Sequence, residues 1–209
     1  MEVVIVSDAR KPELRQMTVN AINSSGVNCI VIEANRDVVY SCQTIHYDFP
    51  FNYNKCLNLG YSLTKDDAIC FANNDVIFGE NWTECEKYLK DYGSISLLNP
   101  GWGFHKDFTS GVYEGSNVGR ELCGWGLIVS RETMEKTGGF DEGVEFWCSD
   151  NIWAHQLEYH GIKHALVADY TIKHLTSKTL CSGIPKADFA RMTGGQVPLM
   201  SEAVKKYKK

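Results

Sequence analysis

The residues best suited to chemistry come directly after a predicted buried strand. The strand Ala68 to Ala72 runs into Asn73, Asn74 and Asp75. Ligand sites of α/β sheets lie at the carboxyl ends of the strands. A carboxylate there suits a hard divalent cation, which prefers oxygen ligands and often bridges phosphates. Because Asn and Asp also favour turns, a simple turn is the alternative interpretation.

Two further carboxylates follow the first two predicted strands. Asp8 comes after the Val- and Ile-rich run from residue 2 to 7, and Glu33 ends a second such run that begins at Asn28. Acidic groups at these positions can accept hydrogen bonds from a nucleobase or a ribose. A helix cap or a solvated charge would explain them equally well.

A fourth carboxylate, Asp150, opens a predicted helix that ends at His160 and follows the aromatic pair Phe146 and Trp147. A carboxylate in this position can serve as a general base that takes the proton of an acceptor hydroxyl. An acid in the first turn also complements the helix dipole, so a structural explanation exists. Ser149 is the predicted cap of this helix.

One histidine and two cations complete the set of candidate residues. His174 ends a predicted strand, and its neutral imidazole would suit a divalent metal. Lys178 and Arg191 follow it and could meet phosphate charge. For all three, a surface position without a ligand is the alternative.

Positioning these groups requires a sheet that presents several strand ends on one side. A strand, a helix from Pro12 to Gly26 and a second strand come first, which is the beginning of an α/β unit with a parallel sheet. Further strands are predicted at 68–72, 94–98, 122–129, 164–168 and 171–174, and helices at 54–63, 82–91, 131–137 and 150–160. The predicted fold class is α/β, with a mostly parallel central sheet flanked by helices.

Size and composition favour one globular domain. The chain has 209 residues, 44% hydrophobic and 22% charged, and its net charge of -5 argues against a large nucleic-acid-binding surface. The N-terminus lacks the features of a secretory signal, and no apolar run reaches the ~18 residues of a membrane helix. We therefore predict a cytoplasmic protein with no membrane span. The eight cysteines, without C-x-x-C spacing, predict reduced thiols, with a zinc site or disulfides as alternatives.

Four stretches of the sequence occur in an order typical of one enzyme family. They are VVIVS at 3–7, FNYNKCLNLG at 51–60, ICFANNDV at 69–76, and GWGLIVSRE at 124–132 with GGFDE at 138–142, which leads into Ser149 and Asp150. The set resembles the inverting GT-A-fold glycosyltransferases of the family 2 type, in particular small stand-alone bacterial or bacteriophage members. The likeness covers roughly residues 1–176 and implies a Rossmann-like GT-A fold.

The resemblance implies roles for the residues of the metal and catalytic site. Asp75 matches the last acid of the metal-binding D-x-D motif, and His174 matches a later histidine that completes the metal site. The implied cofactor is Mn²⁺ or Mg²⁺. Asp150 matches the catalytic base. The sequence departs from the family at Asn73, which replaces the first D-x-D acid, and at Ser149, which replaces the first acid of the catalytic pair.

The resemblance also implies a nucleotide-diphosphate sugar as donor, with a UDP-sugar predicted first. Glu33 matches the acid that meets the base or ribose, and Asp8 is a weaker match on the same side. Asn74, Lys178 and Arg191 are the remaining candidates for donor binding. The Asp-Gly-Ser pattern of the family is replaced by Glu-Ala-Asn at 33–35, which leaves the donor sugar open.

The acceptor side is predicted from a long irregular segment, 99–120, that is rich in glycine and aromatic residues. Trp102 and Phe104 within it, and Trp125 after it, are the candidates to contact the acceptor, while the segment itself would close over the donor. The implied acceptor is either a glycan or a hydroxymethylated base of phage DNA. The predicted division is a nucleotide-sugar-binding half at 1–98, an acceptor and catalytic half at 99–176, and an extension at 177–209.

Two other function classes remain open from the residues. A nucleotidyltransferase shares a similar sheet, but it usually has a glycine-rich loop after the first strand, and Asp8-Ala9-Arg10-Lys11 contains no glycine. The same loop lacks the G-x-G-x-x-G of a dehydrogenase. The second class is a non-catalytic protein that binds sugar or nucleotide on a degenerate transferase fold, which Asn73 and Ser149 would favour.

Overall fold

The structure, a computed structural model, describes residues 1–175 and 186–208. The strands are β1 Glu2–Ser7, β2 Cys29–Glu33, β3 Gln43–His46, β4 Ala68–Asn73, β5 Val76–Phe78, β6 Ser94–Leu98, β7 Val112–Glu114, β8 Gly126–Ser130 and β9 His164–His174. The α-helices are α1 Pro12–Ser25, α2 Tyr53–Tyr61, α3 Arg131–Thr137, α4 Ser149–His160, α5 Lys186–Met192 and α6 Gln196–Ala203. The 3-10 helices are Trp82–Lys90, Gly103–His105 and Val204–Tyr207.

The described strands form one sheet in the order β3-β2-β1-β4-β8-β6-β9-β5, with β7 paired to β9. The pairs β1–β2, β1–β4, β2–β3 and β6–β9 are parallel. The pairs β4–β8, β5–β9, β6–β8 and β7–β9 are antiparallel. Six strands therefore run in one direction, while β5, β7 and β8 oppose them, which confirms the predicted α/β class with a mostly parallel sheet.

Both faces of the sheet are covered, which explains the continuous apolar runs of its strands. On one face, Val3 and Ile5 of β1 pack with α1 and with Trp82 of the first 3-10 helix. On the other face, Val4 of β1 joins a cluster that includes Leu57 of α2 and Trp153 of α4. Successive residues of a strand point to opposite faces, so β1 contributes to both clusters.

Three strands were not predicted, and two predicted strands prove to be one. β3, β5 and β7 are only three or four residues long. β3 and β7 are also partly exposed and lack a clear apolar pattern, whereas β5 is apolar and mostly buried but too short to be recognised. The segments predicted at 164–168 and 171–174 form the single strand β9, whose pairing with β6 shifts register between Leu97 and Leu98. The two predicted segments are therefore continuous in the structure, and the irregularity lies in their pairing with β6.

Two predicted helix caps differ from the structure. The segment after Asn81 begins at Trp82 as predicted, but it is a 3-10 helix, and Asn81 has a left-handed backbone and makes no side-chain capping bond. Cys148, rather than Ser149, is the N-cap of α4, and it also has a left-handed backbone. The predicted strand at 122–129 forms only from Gly126 to Ser130, because Leu122 to Trp125 belong to the loop that precedes it.

The cysteines of the described residues support the prediction of reduced thiols. Seven are free, and Cys181 lies outside the described residues. Burial raises the thiol pKa of Cys56 and Cys85 to about 12, so these thiols stay protonated at neutral pH. No helix in the described part of the chain combines the length and apolarity needed to cross a bilayer.

Gly60 permits the close approach of α2 to β1 and provides a test of this packing. A Cβ added at Gly60 would lie 2.2 Å from Cγ1 of the buried Val4. We expect Gly60→Ala to lower the free energy of unfolding in urea by about 1–3 kcal/mol, because overpacking outweighs the gain of about 1 kcal/mol in helix propensity. Gly103→Ala is the control, since no atom lies within 4 Å of its added Cβ. Equal stability of the two variants would contradict this packing.

Candidate active site

The sheet brings most of the predicted site residues to one edge. β1, β2, β4 and β9 run in the same direction, so Asp8, Glu33, Asp75 and His174 all lie at or just beyond the carboxyl ends of parallel strands. β8 runs in the opposite direction, and Trp125 directly precedes it at the same edge. The order of strands, rather than closeness in sequence, assembles this region.

Asp75 and His174, the predicted metal ligands, are in direct contact. His174 Nε2 lies 3.1 Å from Asp75 Oδ1, and the two side chains are 10% and 3% exposed. The contact forms because β5, which follows Asp75, pairs with the end of β9. The same Nε2 atom lies 3.4 Å from Asn73 Nδ2. His174 Nε2 cannot donate to the Asp75 carboxylate and accept from the Asn73 amide at once, so only one of these two contacts can be a hydrogen bond.

Tyr53, the first residue of α2, connects this pair to the predicted base. Its hydroxyl donates to Asn73 Oδ1 at 2.7 Å. Burial raises the pKa of the Tyr53 hydroxyl far above its usual value, and the negative charges of Asp75 and Asp150 raise it further. Both carboxylates therefore lie close enough to act on the same hydroxyl. The backbone also links the two regions, because Gly124, which lies against Asp150, is followed by Trp125, which stacks on His174.

Asp150 lies at the start of α4, where its carboxyl is closely packed by neighbouring residues. Burial raises the pKa of its carboxyl above the usual value, although the backbone amides of Asn151 and Gly124 partly offset this by donating to it. A Cβ added at Gly124 would lie 3.1 Å from the Asp150 Cβ, so a larger residue there would press on the Asp150 side chain. A raised pKa makes the carboxylate a stronger base at neutral pH.

Side chains at the start of α2 hold the segment 141–149 that leads into Asp150. The Asn52 amide donates to the carbonyls of Glu142 and Val144 at 2.9 Å each. Asn54 accepts a short hydrogen bond from Ser149 Oγ and donates to the Asp141 carbonyl at 2.5 Å. Ser149, which replaces an acid of the family pattern, thus fastens α4 to α2.

The C-terminal helices hold the same segment from the other side. Asp141 accepts hydrogen bonds from the Tyr207 hydroxyl at 2.6 Å and from Lys206 Nζ at 2.9 Å. Gln196 Oε1 accepts from the Glu145 amide at 2.6 Å. Burial alone would raise the pKa of Asp141, but the bonds from Tyr207 and Lys206 outweigh it and hold that pKa below its usual value.

Glu33 is a buried support rather than an exposed ligand contact. Its side chain is completely buried, and Oε1 accepts from the amides of Ala9 at 2.9 Å and Asn35 at 2.8 Å. Oε2 accepts from the Tyr40 hydroxyl at 2.9 Å. The carboxylate has no exposed surface for a base or ribose. We therefore revise its predicted role: it joins the loops after β1 and β2.

Asn74 belongs to the same buried network. Its amide lies 3.4 Å from Thr18 Oγ1, which bonds to Ser7 Oγ at 2.8 Å, and Ser7 in turn contacts the Tyr40 hydroxyl at 3.2 Å. Burial raises the pKa of Tyr40 to about 12, so it remains a neutral donor. Glu33 and Asn74 thus belong to one buried network, and the predicted contact of Asn74 with the donor stays a prediction.

The other predicted donor-side residues are spread out. Asp8 is about one-third exposed at the sheet edge and pairs with Arg10. Both lie near Tyr47, whose pKa is raised mainly by burial and also by Asp8. Arg191 is ion-paired with Glu145, so its charge is already neutralised there and is not directed to a phosphate. Lys178 lies outside the described residues.

The three predicted acceptor residues form one aromatic row that reaches His174. Trp125 stacks on His174 with ring centroids 5.0 Å apart. Trp102 meets Trp125 edge to face at 5.4 Å, and Phe104, which is 67% exposed, lies 5.7 Å from Trp102. The row runs from His174 to the solvent-exposed Phe104.

Hydrogen bonds between its own residues hold the segment 99–120 in place. His105 Nδ1 accepts from the Asn99 amide at 2.9 Å, so Nε2 carries the proton and donates to the Arg120 carbonyl at 2.8 Å. Burial lowers the pKa of His105, which keeps this neutral form. Trp102 Nε1 donates to the Gly119 carbonyl at 2.7 Å. The predicted closing movement of this segment stays a prediction.

Several site residues were not singled out from the sequence. Tyr53, Asn54 and Asn52 were noted only as parts of a family motif, and no role was predicted for them. Asp141 likewise lies in a family motif without a predicted role, and His105 was not singled out within the segment 99–120. Their function depends on contacts between residues far apart in the chain, which no local pattern shows.

Comparison with known proteins identifies the fold. No protein-family model matches the chain, and no curated protein is significantly similar in sequence. The solved structure of GalNAc-T7 with UDP, GalNAc and Mn²⁺ is similar, with a TM-score of 0.67 and 10% identity. The match covers 91% of this chain and 47% of that one, so the chain spans about half of its length. The chain therefore has the GT-A fold that the sequence predicted.

The bonds to Asp141 give a pH-dependent prediction. Because its pKa is lowered on folding, its contribution to stability is complete above about pH 4, the usual carboxyl value, and is lost as the pH falls through the folded value. We expect Asp141→Asn to lower the free energy of unfolding by about 1–3 kcal/mol at pH 7. Urea titrations from pH 7 to 3 should show the difference from wild type shrinking below about pH 4. A difference that persists unchanged at pH 3 would contradict this role.

Proposed function

We propose that this protein is a glycosyltransferase that moves a sugar from a nucleotide-diphosphate donor, with a UDP-sugar first, to an acceptor hydroxyl. The observation that carries the proposal is the arrangement of polar groups at one edge of a GT-A fold: Asp75 contacts His174, Trp125 stacks on His174, and the neighbouring Gly124 lies against Asp150. The similar structure of GalNAc-T7 with UDP and Mn²⁺ supports it. We further propose an inverting hexosyl or pentosyl transfer, in a cytoplasmic protein of a bacterium or of a phage-infected cell.

The residues at the sheet edge fit a divalent cation. Asp75 and His174 offer one carboxylate and one imidazole within 3.1 Å of each other, a donor set that suits Mn²⁺. Within the described ranges, no group of three or more His, Cys, Asp or Glu residues could hold a metal. Asp75 and His174 would hold the ion, with diphosphate oxygens and water as its other ligands. A bound cation supplies charge that stabilises the departing diphosphate.

The other side chains would position the reactants and move one proton. Asp150 takes the proton of the acceptor hydroxyl as the oxygen bonds to the anomeric carbon and the bond from that carbon to the diphosphate breaks. Tyr53 keeps Asn73 oriented toward His174, and Gly124 leaves room for the Asp150 side chain. Trp102 and Trp125 would line the acceptor path, since their rings continue from His174 to the surface.

A second candidate is a protein that binds nucleotide without transfer. Asn73 and Ser149, which replace acids of the family pattern, are both engaged in internal hydrogen bonds, Asn73 with Tyr53 and Ser149 with Asn54. If the remaining carboxylates are insufficient, UDP would bind but no donor would be hydrolysed or transferred. Incubation with a panel of UDP-sugars, followed by detection of released UDP, separates the two functions.

The metal hypothesis predicts a loss of cation binding in two variants. We expect Asp75→Ala and His174→Ala to weaken Mn²⁺ binding in the presence of UDP by more than about tenfold, since even residues that only support metal ligands contribute about 10–100-fold. Isothermal titration of each variant measures this directly. His155→Ala, an exposed histidine on α4, is the matched control. Donor hydrolysis that continues in EDTA would contradict a metal-dependent reaction.

The base hypothesis predicts an acid limb in the rate profile. The Asp150 carboxyl has a raised pKa and must be ionised to act, so kcat/KM should fall as the pH drops through that raised value. Asp150→Asn should reduce kcat by about 10²–10⁴-fold. Glu158→Gln, an exposed acid on the same helix, should retain full activity. A sugar product with retained anomeric configuration would contradict direct displacement, as would normal turnover in Asp150→Asn.

A further inference from the structure

A cavity next to the cleft points to the class of acceptor. It has a volume of about 440 Å³, within the usual range of small-ligand pockets, and its lining residues are Pro50, Phe51, Asn52, Lys55, Glu142, Glu145 and Arg191. We propose that this cavity is a subsite for a neutral glycan acceptor, holding sugar units beyond the one that reacts. The proposal rests on the proposed function and specifies its acceptor.

The lining of the cavity has the chemistry that carbohydrates require. Phe51 and Pro50 provide an apolar surface for the C–H face of a sugar ring. Glu142, Glu145 and Arg191 provide planar groups that can bond to pairs of hydroxyls. A pocket that combines one apolar surface with a few convergent polar groups is typical of small-molecule binding.

The charges of the cavity are balanced, which favours a neutral ligand. Its lining contains two cations and two carboxylates. Arg191 is ion-paired with Glu145, and the Glu142 carboxylate accepts from Asn58 Nδ2 at 3.0 Å. Lys55 Nζ lies 4.3 Å from the centre of the Phe49 ring. DNA binding draws most of its affinity from cations that neutralise phosphates, and this cavity offers no excess of positive charge.

The cavity is connected to the site of chemistry by aromatic contacts. The Phe51 ring lies 6.3 Å from Phe146, which meets Tyr53 edge to face at 5.4 Å. Tyr53 is the common neighbour of Asp75 and Asp150. The Tyr53 amide also donates to the Glu145 carbonyl at 2.6 Å, so the cavity wall and the cleft share the same backbone. An acceptor chain in the cavity would extend toward Asp150 along the contacts from Phe51 through Phe146 to Tyr53.

Binding without donor tests the subsite separately from catalysis. The probes are neutral trisaccharides of glucose, galactose, mannose, N-acetylglucosamine and rhamnose, with a DNA duplex containing 5-hydroxymethylcytosine as the competing class. Saturation-transfer NMR on the full chain should detect saturable binding of at least one trisaccharide. We expect Phe51→Ala to weaken that binding about tenfold or more, the effect of removing an aromatic anchor. Arg191→Gln, a surface change, should weaken it as well.

Tyr61→Ala is the matched control. Tyr61 ends α2, the helix that follows Phe51. Like Phe51, it is a partly buried aromatic residue packed against the same core cluster, but it does not line the cavity. The Tyr61→Ala variant should bind the trisaccharide as tightly as wild type does. The proposal is overturned if no trisaccharide binds, if Phe51→Ala and Arg191→Gln bind like wild type, or if the duplex binds more tightly than every trisaccharide. A failure of the proposed function would appear differently, as absent UDP binding and absent donor hydrolysis.

Discussion

The hydrogen bond from Tyr53 to Asn73 joins the two halves of the candidate site. Asn73 ends β4 next to the pair of Asp75 and His174, while Tyr53 begins α2, whose first turn also holds the segment that carries Asp150. The bond is dependable because burial and two neighbouring carboxylates keep the tyrosine neutral over the physiological pH range. The separation between the metal-side and base-side groups therefore depends on how α2 packs against the sheet.

A division between supporting and ligand-facing residues follows from this arrangement. The acids and amides that look most functional in the first half of the sequence, Glu33 and Asn74, are buried in a hydrogen-bond network with Tyr40, Ser7 and Thr18. Buried polar groups must be paired to avoid a large desolvation cost, and this network satisfies that requirement. It fixes the loops at the edge of the sheet, and Asp75, His174 and Asp150 remain the predicted ligand contacts there.

The sequence predicts the fold well because the strands of the sheet are apolar runs separated by helices with clear ends. The resemblance to the glycosyltransferase family also predicts that Asp75 and His174 lie together, although the antiparallel pairing of β5 with β9 that brings them into contact was not predicted. The sequence could not predict that Glu33 is sealed from ligands, because a buried and an exposed acid look alike at a strand end. Nor could it predict that Asp141 accepts hydrogen bonds from Lys206 and Tyr207, which are 65 and 66 residues away in the chain.

Anomalous diffraction from a crystal of the protein with Mn²⁺ and UDP tests the central claim most directly. The account predicts one manganese peak at coordination distance from both Asp75 and His174, with the diphosphate bound to it and the Asp150 carboxylate facing the same cleft. It would be contradicted by a peak elsewhere in the molecule, or by UDP bound on a side of the sheet that Asp150 does not reach.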